Sequence, residues 1–109
     1  MNAGWGMSEF VVVLCTTAFS EADRLAKTLV EERLAACVNI APIRSCYIWE
    51  GKLNKDMEEL MIIKTKTVMV ERLQERILEL HSYKVPEIIV LSITEGYAPY
   101  LSWMAGSVG

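Results

Sequence analysis

Three cysteines, one histidine and six methionines carry the softest donor atoms of this 109-residue chain, a set suited to copper and to Cu(I) above all. Their spacing limits what one subunit can build. Cys37 and Cys46 lie nine apart in an extended stretch, an odd number that sends them to opposite faces unless a bulge near Pro42 intervenes. Cys15 belongs to a strand expected to be separated from that of Cys37 by a third, which argues against a tetrahedral cysteine cage within one subunit. Met57 and Met61, four apart on one strand face, read as packing. Cys15 itself fits a small buried hydrophobe in a strand. His81 stands at the end of a helix, where a protonated imidazole gains from the dipole.

A second constellation is polar and aromatic. Glu59 and Lys64 flank one strand, Tyr83 and Glu87 bracket the Val85-Pro86 turn, and Trp49 sits at the far end of a long arm. If assembly carries one chain's arm beside another chain's sheet, these groups converge in an inter-subunit crevice, a common place for small-molecule sites. The competing reading makes Glu59 and Lys64 a structural ion pair and the two aromatics interface anchors.

Catalytic patterns are absent from the sequence. There is no glycine-rich phosphate loop, no paired catalytic carboxylates and no hydrolase histidine pair, and Ser82 beside His81 has poor geometry for a triad. The chain reads as a non-enzyme. A net charge of −3 leaves no basic excess for a phosphate backbone, so nucleic acid is not expected as a partner. The longest apolar runs, such as 11–14 and 88–91, fall far short of the roughly 20 residues of a membrane span. With 52% hydrophobic and 23% charged residues, the composition supports one domain with a real core, assigned to residues 10–109. Residues 1–9 read as a flexible leader with Gly4 and Gly6, no secretory pattern, and Met7 as an alternative start. Three cysteines without a CxxC fit a reducing, cytoplasmic setting.

The elements that must position these groups follow from periodicity. Residues 10–16 are a continuous β-branched run, as in a strand buried on both faces. Ser20 offers an N-cap to a helix with Ala22, Leu25, Ala26, Leu29 and Val30 on one face, ending near Arg33-Leu34. An arm over 36–49 turns at Glu50-Gly51 and returns as a strand over 58–67. Thr67 offers a cap to a second helix with Val70, Leu73, Ile77 and Leu80 on one face. Pro86 forces extension before the strand 88–93, and 97–105 reads as a short terminal helix. The order βαββαβ predicts an α+β, ferredoxin-like sandwich: a four-stranded antiparallel sheet, two helices on one face, and the second and fourth strands at the edges.

Two features point beyond one subunit. The arm of about 14 residues is roughly 46 Å long at about 3.3 Å per residue, against a diameter of about 35 Å for a compact chain of this length. An overhanging hairpin with unpaired backbone groups invites pairing with another chain. The apolar run 88–91 also sits at an edge, on a sheet whose second face is bare, and a copy of the same chain is the simplest cover.

Five blocks resemble a known family: Glu32-Arg33-Leu34-Ala35-Ala36-Cys37-Val38-Asn39, Ser45-Cys46-Tyr47-Ile48-Trp49-Glu50-Gly51, Lys64-Thr65, His81-Ser82-Tyr83-Lys84-Val85-Pro86-Glu87 and Tyr100-Leu101-Ser102-Trp103. In this order they are similar to the signature blocks of CutA-type divalent-cation tolerance proteins. The resemblance covers residues 11–103. It implies a tight, PII-like homotrimer of ferredoxin-like subunits with an extended hairpin, and a role in tolerance of divalent metals with copper binding. It also implies Cys15 and His81 as metal positions, and it points to the region of Trp49, Glu59, Lys64, Tyr83 and Glu87 as an inter-subunit cleft. Where many members have His-Pro-Tyr this chain has His81-Ser82-Tyr83, and Leu80 stands where some have a further histidine. Two functions are expected on this basis: a trimeric binding protein that senses a metal or small anion between subunits, or a trimer that recruits or anchors partner proteins, as implied by the animal members' link to acetylcholinesterase anchoring.

Overall fold

A computed structural model describes residues 8–109. The elements in chain order are β1 (Phe10–Ala18), α1 (Ala22–Glu31), β2 (Cys37–Trp49), β3 (Lys52–Lys66), a 3-10 turn (Thr67–Met69), α2 (Val70–Leu80), β4 (Ile88–Ser92) and α3 (Ala98–Ser107). The sheet order is β2-β3-β1-β4, with every neighbouring pair antiparallel. This is the expected ferredoxin-like sandwich with β2 and β4 at the edges.

Alternation along β1 builds the core. Val11, Val13 and Cys15 are fully buried on the helix side, while Val12 and Leu14 on the other side are only partly covered. Leu25 and Leu29 of α1, Leu73 and Ile77 of α2, Met61 and Ile63 of β3, and Met104 of α3 complete the cluster. Burying each such side chain contributes about 1.5–3 kcal/mol. Val30, expected on the buried face of α1, is instead 41% exposed.

The helix ends differ from the expected caps. Ser20 does not cap α1: its φ of 70° places it in a turn, closed by the Glu21 amide donating to the Ala18 carbonyl. The first helical amide, that of Ala22, is met by the Glu59 carboxylate of β3 at 3.3 Å, where negative charge suits the helix dipole. At the other end Arg33 adopts φ 61°, and the amides of Arg33 and Leu34 bond back to Val30 and Leu29, a Schellman closure that leads straight into β2. Thr67 does not cap α2 either, because its hydroxyl donates to the Ser8 carbonyl.

Ser8 and Glu9 are held by the domain. The Ser8 hydroxyl reaches the Phe10 and Ile93 carbonyls, and the Thr67 amide donates to the Glu9 carbonyl at 2.9 Å. The rest of the expected leader lies outside the described residues.

The hairpin pairs from Cys37↔Lys64 to Trp49↔Lys52 without a break. Its two-residue loop, Glu50 at φ 51° and Gly51 at φ 78°, has the positive angles of a twisted hairpin turn. No bulge forms at Pro42, so Cys37 and Cys46 do face opposite sides. The longest dimension is 44 Å, against 32 and 23 Å for the others. The tip is poorly covered, with Ile48, Trp49, Leu53 and Met57 all exposed.

Candidate functional site

The twisted arm and the segment after α2 enclose a cleft of about 720 Å³. Its lining is Thr16 of β1, Ser45, Cys46, Tyr47 and Trp49 of β2, Glu50 of the turn, Glu58 of β3, and Tyr83, Lys84, Val85 and Glu87 ahead of β4. Three of the five expected cleft residues, Trp49, Tyr83 and Glu87, meet there.

Glu59 and Lys64 do not line the cleft. They are five apart on β3 and therefore face opposite sides, so they form no ion pair with each other. Glu59 meets α1, and the Lys64 ammonium donates to the Asn39 side-chain oxygen across the hairpin.

Two tyrosine–carboxylate pairs organise the polar wall. Tyr83 donates to Glu58 Oε2 at 2.6 Å, and Tyr47 donates to Asp56 Oδ2 at 2.5 Å. Burial and then the Glu58 hydrogen bond push the Tyr83 phenol well above its ordinary pKa. The Asp56 bond does the same for Tyr47. Glu58, Tyr47 and Asp56 were missed from the sequence. Counting outward from Glu50-Gly51 finds Tyr47 and Asp56, because a two-residue loop places Ser45 opposite Asp56, with Tyr47 two positions along on the same face.

Cys15 and His81 are brought together around one atom, the Thr16 carbonyl oxygen. His81 Nε2 lies 2.7 Å from it and Cys15 Sγ 3.7 Å. The imidazole is 8% exposed, and its Nδ1 accepts the Tyr83 amide at 3.0 Å, which fixes the neutral tautomer with the proton on Nε2. The expected protonated ring at the helix end is therefore not what this geometry holds. Burial, followed by the charges of Glu87 and Glu21, pushes the Cys15 thiol up to about 12. Among the described residues no group of three or more His, Cys, Asp or Glu side chains is placed to hold a metal ion.

The segment is locked from behind by Glu21, which accepts the Ser82 hydroxyl at 2.7 Å and the Ser82 amide at 2.9 Å. Burial raises the Glu21 pKa, but the two Ser82 hydrogen bonds, helped by the Arg24 charge, outweigh it and leave the group below its ordinary 4.5. A depressed folded-state pKa adds stability above the unfolded value, and that stability is lost as pH falls through the folded one. Ser82→Ala is thus expected to be less stable than wild type at neutral pH, with the gap closing on acidification below 4.5. Paired denaturant melts across pH check this, and a gap that does not change with pH counts against it.

A family model described as CutA1 divalent ion tolerance protein matches residues 10–107. The chain belongs to the CutA1 family. The divalent-cation tolerance protein CutA of Thermus thermophilus is 49% identical over 100 residues, covering 90% of this chain and 97% of that one. The chloroplastic protein CutA of Arabidopsis thaliana is 50% identical over 99 residues, covering 89% of this chain, which spans about half (54%) of that longer protein. The crystal structure of CutA1 from Oryza sativa superposes with a TM-score of 0.90 at 43% identity, over 94% of this chain and 96% of that one. CutA1 proteins are tolerance proteins and not enzymes, which is how the sequence read. No helix among the described residues of this CutA1 chain is long and apolar enough to cross a membrane.

Proposed function

We propose that this CutA1 chain works as a homotrimer in divalent-cation tolerance, joined through its bare sheet face and edge strands, with small charged ligands taken up in the clefts at the arms. The observation that carries this reading is the sheet face opposite the helices. Strand pairing puts Val12, Leu14, Leu60, Ile62, Ile89 and Leu91 on that one face, with Ile89 and Leu91 nearly half exposed in the single chain. An apolar patch of this kind marks an association surface, and β2 and β4 are the edge strands of the sheet beside it. Sedimentation equilibrium of the wild type is expected to give three times the chain mass. A folded monomer at micromolar concentration contradicts the reading.

The metal side of the proposal rests on Cys15 and His81. One thiol and one imidazole fit a soft ion such as Cu(I) better than a hard divalent one. Binding must deprotonate a thiol whose pKa is about 12 and displace the Nε2 proton from its hydrogen bond, so affinity is expected to be low. Calorimetric titration with Cu(I) and Cu(II) on wild type, Cys15→Ala and His81→Ala checks this. Equal binding in all three removes the pair as ligands. Three free cysteines suit a reducing compartment such as the cytoplasm.

A second reading, a trimer that recruits other proteins, is favoured by the exposed Ile48, Leu53 and Met57 near the hairpin tip. It predicts no saturable small-ligand binding.

A further inference from the structure

The ligand class of the cleft follows from its lining. Glu50, Glu58 and Glu87 face a single lysine, Lys84, so the walls are net negative. Glu58 is only 6% exposed, and among the described residues the one hydrogen bond to its side chain is from the Tyr83 hydroxyl. Among the described residues no Lys, Arg or His is ion-paired with it. A buried carboxylate balanced by one phenol is costly unless a cation arrives. Tyr47, Trp49 and Tyr83 bring three aromatic rings to the same cavity, and the faces of such rings attract cations.

A metal ion fits this arrangement poorly, because the acidic side chains do not gather into a set that closes on one point. A small anion fits worse, given the sign of the walls. The volume of about 720 Å³ lies in the range of small-molecule sites and leaves room for a cation of several heavy atoms.

We propose that the cleft binds an alkylammonium cation, its N–H groups directed at Glu58 and a neighbouring carboxylate and its carbon chain lying along Trp49 and Tyr47. A diamine suits the separated carboxylates best, since two charged ends reach two of them. This rests on the cleft being the ligand site proposed above, and it replaces the small anion with an organic cation there.

The test titrates wild-type protein with butane-1,4-diamine, butylammonium, magnesium and acetate at constant ionic strength, reading heat and tryptophan fluorescence. Saturable diamine binding is expected, with butylammonium weaker and neither magnesium nor acetate binding. Glu58→Gln keeps the side-chain shape and an acceptor for Tyr83, and it is expected to weaken diamine binding by roughly ten-fold or more. Trp49→Leu is expected to weaken it by a smaller factor. Absence of saturable diamine binding, or equal binding in Glu58→Gln, overturns the proposal. Acetate binding in preference overturns the cation class while leaving the cleft as a ligand site. Sedimentation of the same samples separates a further case: loss of assembly in Glu58→Gln shows that the carboxylate is satisfied by a neighbouring copy, which overturns the free ligand.

Discussion

Changing Ile89 and Leu91 together to aspartate is expected to leave a folded chain that sediments as a monomer. Both side chains lie on the sheet face away from the helices and are 46% and 48% exposed in the isolated subunit, so neither supports the core of its own chain. In an assembly they leave water. Each is already about half covered by its own chain, so losing both removes about 1.5–3 kcal/mol of burial per subunit on assembly, and the new carboxylates meet an apolar face. Summed over three subunits, these costs are expected to dissociate the proposed trimer at micromolar concentration. Sedimentation velocity with far-ultraviolet circular dichroism gives the result: native-like ellipticity and monomer mass. An intact trimer would show that the interface lies elsewhere.

Met104→Ala is expected to lower the unfolding free energy by about 2–5 kcal/mol, the range for deleting a large side chain from a packed core. Met104 is fully inaccessible and holds α3 against the common core. The helix is tied down at its end as well, because the Arg33 guanidinium donates to the Gly106 carbonyl and the Gly109 amide donates to the Arg33 carbonyl. Denaturant melts at fixed protein concentration measure the loss, since unfolding and dissociation are linked in an oligomer. A change below about 1 kcal/mol would mean that α3 is an appendage to the cooperative unit.

Strand identity and order were readable because the signals are local and repeated. The β-branched run of β1, the 3.6-residue period of α1 and α2, and the Pro86 stop each act within a few residues. The return strand was read too short, from 58 instead of Lys52, because 52–57 is polar and its strand character comes only from pairing with β2. The caps failed for a similar reason. Ser20 and Thr67 have the right chemistry for helix starts, but the amide of Ala22 is met by Glu59, which is 37 residues away in sequence, and Thr67 is engaged by Ser8. Trp49, Tyr83 and Glu87 lie together in the cleft of the single chain, while Glu59 and Lys64, at odd spacing on β3, lie on opposite faces, so one chain alone does not gather all five expected residues. Glu58 carried no local sign of burial. Its environment is made by the segment after α2 folding onto the arm, a contact between residues 25 apart.

The unbroken ladder of the arm also limits how such a chain can change over generations. With no bulge between Cys37 and Trp49, adding one residue to each strand would swap the inward and outward sets beyond the insertion, carrying Tyr47 and Asp56 together to the opposite face of the sheet. Adding two to each would keep every side chain facing as before. Length variation in this ribbon should therefore come in matched steps of two, and a lineage that breaks that rule must have acquired a kink to compensate.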